Sequence, residues 1–142
     1  MLTRVLYVKS TPARRFVIVD AGMNDLIRPA LYDAYHFIWP AQPGPAWTPP
    51  QRGEALDLPG TQRVDIVGPV CESADFLGRD RPLPPLQRGD LLAVFSAGAY
   101  GMAMASQYNS RPRAAEVLVS GDQMRIIRRR ETYDDLMAAE DG

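Results

Sequence analysis

The chain has 142 residues, 46% apolar and 23% charged, with a formal net charge of −1. That length suits one globular domain with a real core rather than two, and the best apolar run, residues 91–95, falls far short of the roughly 18 residues of a membrane helix. Cations and anions nearly balance, so no global field draws in nucleic acid, and the 13 prolines and 11 glycines favour short strands between turns.

Residues 2–8 and 15–20 are rich in Val, Ile, Phe and Tyr and flank Ser10, Thr11 and Pro12, the pattern of a hairpin. The alternation of residues 1–9, with Arg4 early, reads as a strand rather than a signal peptide, which predicts a soluble, cytoplasmic protein. After the break at 21–24, residues 29–35 predict a helical turn and 36–39 a strand. Pro43, Pro45, Pro49, Pro50 and Pro59 make residues 40–60 a long surface loop. A strand over 64–70 follows, and the prolines of 80–89 predict an irregular passage before a buried strand over 91–95. Residues 116–119 and 123–128 around Ser120, Gly121 and Asp122 predict a second hairpin. Thr132 caps a short helix with Asp134 and Asp135 in its first turn. The expected fold is a single all-β domain over residues 1–142, a Greek-key β-sandwich or barrel with one helical turn and a short C-terminal helix.

Polar residues gather in three turns, 23–32, 68–75 and 97–113, and loops on a rigid β scaffold are where sites are built. Cys71, the only cysteine, cannot form an internal disulfide, and with His36 the only histidine there is no zinc set. By residue type Cys71 reads as a small buried apolar side chain. Gly68 and Pro69 end the strand before it, however, which puts Cys71 and Glu72 on a loop where a thiol can meet a substrate and a carboxylate an ammonium. Arg28 and Tyr32 lie four apart, so one helical turn offers a guanidinium and a phenol on one face for a carboxylate; a surface arginine beside a packed tyrosine is the competing reading. Tyr100, between Gly98 and Gly101, either projects its hydroxyl to a ligand or packs in a plain turn, the glycines allowing close backbone approach. Arg111 and Arg113 are expected to bridge strands, His36 to pack in its strand, and Arg128 to Arg130 to be a solvated surface offset by Glu131, Asp134 and Asp135.

Taken together, the segments VIVDAGMNDLIRPALYDAYH (17–36), GPVCESADFL (68–77), GDLLAVFSAGAYGMAMASQYNSRPRAAEVLV (89–119) and RRRETYDDL (128–136) resemble the carboxyl-terminal β domain of the diaminopimelate decarboxylase family. That resemblance implies a pyridoxal 5′-phosphate enzyme of lysine biosynthesis that converts meso-2,6-diaminopimelate to L-lysine and carbon dioxide, built as a homodimer with an amino-terminal α/β barrel. It implies that Cys71 is the proton donor reaching the partner's active site, that Glu72 beside it holds the distal amino group, that Arg28 and Tyr32 grip the distal carboxylate, and that Tyr100 meets substrate and cofactor phosphate. The barrel has no counterpart in these 142 residues, and the only lysine, Lys9, lies in the opening strand. The chain is therefore expected to be inactive alone, with the surface that meets the barrel exposed. Ornithine-type relatives follow the cysteine with Asp, so Cys71-Glu72 and Arg28 favour diaminopimelate over ornithine or carboxynorspermidine. A stand-alone regulatory domain is the reading from another class.

Overall fold

The computed structural model describes residues 1–48, 52–53 and 58–140. Six strands form one sheet: β1 (Leu2–Ser10), β2 (Arg15–Val19), β3 (Ile38–Pro40), β4 (Gln62–Val67), β5 (Phe76–Leu83) and β6 (Leu91–Val94), in the order β3-β6-β1-β2-β4-β5. Alternation decides which faces turn inward: Thr3 and Val5 on β1, Val17 and Val19 on β2, and Leu92 and Val94 on β6 are buried while their neighbours are not. These side chains meet Leu26, Phe37, Trp39, Val64, Ile66, Leu77 and Leu83 in one core. Pairing is antiparallel except between β2 and β4, which run parallel because the chain crosses over between them. Irregularities in the β1–β2 and β4–β5 registers bend the sheet. Its two edge strands thereby approach each other, with Gly78 of β5 facing the Ile38 side chain of β3. The architecture is all-β and barrel-like, as the composition and strand pattern predict.

Both hairpins form. The second pairs β7 (Glu116–Ser120) with β8 (Gln123–Arg128) through a two-residue turn in which Gly121 takes the positive φ of 60°. The helical turn predicted over 29–35 is α1 (Arg28–Tyr32), with Pro29 in its first turn and Asp33 ending it in the left-handed region at φ 53°. A four-residue turn, α2 (Gly101–Met104), and the short helix α3 (Tyr133–Met137) complete the elements. Thr132 caps α3 in a full capping box with Asp135, the helix end expected from the residues.

Three expectations need correction. Residues 80–83 are not irregular, because β5 runs through Pro82; on an edge strand the missing N–H breaks no ladder on the open side. The strand expected over 36–39 is confined to Ile38–Pro40, with His36 buried just before it and its Nδ1 3.0 Å from the Phe95 carbonyl. The loop over 40–60 is not wholly superficial: its 3-10 turn, Pro45–Trp47, packs Trp47 against the core, and the Trp39 indole N–H donates to the Trp47 carbonyl at 2.8 Å. Residues 49–51 and 54–57 of that loop lie outside the described residues. Among the described residues no helix is long and apolar enough to cross a membrane.

Candidate active-site loops

The three polar turns are the connections leaving β2, β4 and β6, and two buried side chains tie them together. Asp75, almost fully buried, accepts the backbone N–H of Val70 at 2.6 Å and of Met23 at 2.7 Å, joining the loop after β4 to the turn after β2. A buried carboxylate is tolerable only when such donors surround it. Gly22 and Gly68 make the space, since a β-carbon on either meets the Asp75 carboxylate. Asn24, also buried, accepts the Ser106 backbone N–H at 2.9 Å on its carbonyl and the Arg111 Nε at 3.0 Å on its side chain, fastening the loop after β6. Arg111 donates a second bond to the Asp20 carbonyl. Arg113 pairs with Glu131 at 2.5 Å, anchoring the start of the β7–β8 hairpin to its end. Nearby, burial pushes the Asp25 carboxyl up from its ordinary value.

On this frame the guanidinium of Arg28 lies 5.7 Å from the ring centre of Tyr32 and 5.3 Å from that of Tyr100. The helical spacing of α1 accounts for the first contact; the second is tertiary. Tyr100 is held at φ 65°, an unusual conformation for a side chain of its size, which turns its ring over Arg28. Tyr32 and Tyr100 are 61% and 62% exposed, so two phenol hydroxyls and a cation face solvent together, a set that suits an anionic group. A β-carbon on Gly98 or Gly101 meets nothing within 4 Å, so packing within this chain does not require glycine at either position.

Cys71 is exposed on the loop after β4. Beside it, Glu72 accepts the Tyr108 hydroxyl at 2.5 Å, a contact with the loop after β6 that no local pattern signals. Asp75 and Asn24 carry no such signal either, because nothing in their spacing distinguishes a buried carboxylate or amide from a solvated turn residue. Among the described residues no hydrogen bond, ion pair or ring contact joins Cys71 and Glu72 to Arg28, Tyr32 and Tyr100. The loops thus present two polar sets, one with a thiol and a carboxylate, the other with a guanidinium and two phenols.

The family model described as pyridoxal-dependent decarboxylase, C-terminal sheet domain, matches residues 1–98. The chain belongs to that family. Over 140 residues, 99% of its length, it is 53% identical to the diaminopimelate decarboxylase of Neisseria meningitidis serogroup B. It superposes with a TM-score of 0.84 and 47% identity on the AQ1208 protein of Aquifex aeolicus, over 98% of this chain and 31% of that one. On the Helicobacter pylori diaminopimelate decarboxylase complexed with L-lysine the TM-score is 0.82 at 45% identity, over 98% of this chain and 31% of that one. The chain spans about 30% of the length of the curated relatives it matches. Tyr100, Tyr108 and the β7–β8 hairpin of this sheet domain fall after the segment matched by the family model but inside the stretch shared with the Neisseria enzyme.

The sheet domain by itself lacks the amine that pyridoxal phosphate needs for its covalent attachment at these loops. Lys9, the one lysine of the sequence, is exposed on β1 opposite Phe16 and away from the three loops, so no lysine of this chain stands at them to form a Schiff base.

Proposed function

We propose that this sheet domain is the carboxyl-terminal part of a diaminopimelate decarboxylase, which releases carbon dioxide from meso-2,6-diaminopimelate to leave L-lysine. The reading is carried by the convergence of Arg28, Tyr32 and Tyr100 at one exposed point, on a domain of the pyridoxal-dependent decarboxylase family. Diaminopimelate differs from ornithine in its distal carboxylate, and a guanidinium between two phenols is suited to hold one. Tyr100 also reaches the cofactor phosphate. When bound, pyridoxal 5′-phosphate supplies the electron sink for the pair left on the α-carbon. The Cys71 thiol hands its proton to that carbon, and Glu72 holds the distal ammonium. The two polar sets serve two different sites of a head-to-tail homodimer, Cys71 and Glu72 reaching across to the partner; the exposure of Cys71 on its loop supports that reach.

An α/β barrel that holds the Schiff-base lysine is the required companion, and the sheet domain alone is inactive. The exposed apolar side chains of the β7–β8 hairpin support such a companion: Val119, Met124 and Ile126 stand well out into solvent, and a two-stranded ribbon is not stable by itself. A lone exposed thiol suits a reducing, cytoplasmic setting.

The test is Cys71→Ala in the full-length enzyme with diaminopimelate and ornithine as substrates. The reading expects turnover of diaminopimelate alone by the wild type, and in the variant a fall in kcat of about 100-fold or more with the cofactor spectrum unchanged, the usual scale of a lost proton donor. Parallel loss of cofactor binding and turnover would remove the donor role from Cys71.

A further inference from the structure

The contact between Tyr108 and Glu72 is made at the surface, where a hydrogen bond must compete with water, yet it is short and the backbone behind it is constrained. Tyr108 is followed by two residues in the left-handed region, Asn109 at φ 60° and Ser110 at φ 54°. Asparagine tolerates that conformation; serine does so at a cost, and two in succession persist only when the surroundings impose them. Here the surroundings do so from both sides. Ser106 is bonded through its N–H to the Asn24 carbonyl, and Arg111 is bonded to the Asn24 side chain and to the Asp20 carbonyl. The segment between them is a short bow clamped at each end to the turn after β2, with Tyr108 at its crest. On the other side, Glu72 is fixed through its backbone, its N–H donating to Val70 and its carbonyl accepting from Asp75.

We infer that Tyr108 is a positioning residue for Glu72, engaging Oε1 so that Oε2 is presented in one orientation to the ammonium group of a substrate. A free glutamate side chain must lose its rotamer freedom when it binds a cation, whereas one already held by a neighbouring hydroxyl has lost it beforehand. A phenol is well suited to hold a carboxylate in this way, since it donates one bond and is rigid out to its hydroxyl. The hydrogen bond to Glu72 also makes Tyr108 keep its proton more tightly than an ordinary tyrosine does. Because Tyr108 and Glu72 lie on different loops, the same bond keeps the spacing between the loop that carries Cys71 and the loop that carries Tyr100.

The inference rests on the proposed reading of Glu72 as the ammonium-binding residue, and two measurements keep the two apart. In the 142-residue chain with ring-labelled tyrosine, the Tyr108 phenol should titrate above the ordinary tyrosine range and move back towards it in Glu72→Gln; a Tyr108 indifferent to that change would overturn the inference at its first step. In the full-length holoenzyme, Tyr108→Phe should raise the KM for diaminopimelate about five-fold with kcat within about two-fold, the scale of one lost hydrogen bond to a charged group. The preference for diaminopimelate over 2-aminopimelate, which lacks the distal ammonium, should shrink by the same factor. Thermal stability should not change, because the bond is exposed. An unchanged KM and preference in an enzyme that does process diaminopimelate would overturn the inference alone. A wild type that ignores diaminopimelate would remove the reading and the inference together, whatever the phenol titration shows.

Discussion

The β-carbon that Gly68 lacks would fall inside the carboxylate of Asp75. Their contact explains how an acidic side chain comes to be almost fully buried: the loop after β4 closes over the carboxylate at Gly68, and the N–H groups of Val70 and Met23 turn inward to it. Gly68→Ala should therefore displace Asp75 and loosen both loops, destabilising the chain by about 3 kcal/mol from overpacking together with lost charge-assisted bonds. Asp75→Asn, which places an amide against inward-facing donors, should cost about 2 kcal/mol. Denaturant titration of the two variants checks both values; a change below about 0.5 kcal/mol for Gly68→Ala would contradict the packing argument.

Arg28 offers a planar cation between the rings of Tyr32 and Tyr100. Arg28→Lys keeps the charge and loses the fork and the stacking, so it should not be conservative. In the full-length enzyme the KM for diaminopimelate should rise by at least about ten-fold while the stability of the domain stays within about 0.5 kcal/mol, since all three side chains are surface groups. Steady-state kinetics and thermal melts separate the two effects.

Apolar side chains point out from one face of the β7–β8 hairpin, where Val119, Met124 and Ile126 are 67%, 81% and 66% exposed. Ile126→Asp should leave the stability of the 142-residue chain nearly unchanged, because that side chain stands mostly in solvent. In the full-length enzyme the same change should cost about 2–4 kcal/mol if the hairpin packs against the barrel. Equal melting shifts in both settings would show that the hairpin stays open.

Glu131 is held far below the usual carboxylate range, at about 2, first by the Arg113 side chain and then by the Arg113 backbone N–H and Gln107. Asp135 is lowered in the same direction by Arg129 and by the cap at Thr132. A carboxyl whose folded value is depressed adds stability above its unfolded value and loses it as the pH falls through the folded one. The clasp at the base of the hairpin should thus survive acidification through about pH 4 and open as the pH approaches about 2. Nuclear magnetic resonance of the Arg113 Nε–H against pH follows it directly; release near about pH 4, the ordinary carboxylate range, would mean that the pair is not formed in solution.

Much of this domain is legible along the chain because its determinants are local. Alternating apolar residues on β1 and β2, the Gly121 turn, the spacing of Arg28 and Tyr32 and the Thr132 cap each act within a few residues, so the all-β class, both hairpins, α1 and the start of α3 follow from one-dimensional pattern. The cysteine beside Glu72 on a loop is legible for the same reason. The β5 strand is not, since Pro82 reads as a breaker until the strand is known to lie at an edge, and edge or centre is a property of the whole sheet. Nor are Asp75, Asn24 and Tyr108. A buried carboxylate, a buried amide and a phenol bonded to a carboxylate across 36 residues acquire their roles only when the connections of three strands are brought to one end of the sheet. Residue type and local spacing determine which elements form and which reactive groups they carry; the partners of those groups are decided by the tertiary fold, because burial and hydrogen bonding depend on segments that are distant in sequence and adjacent only in space.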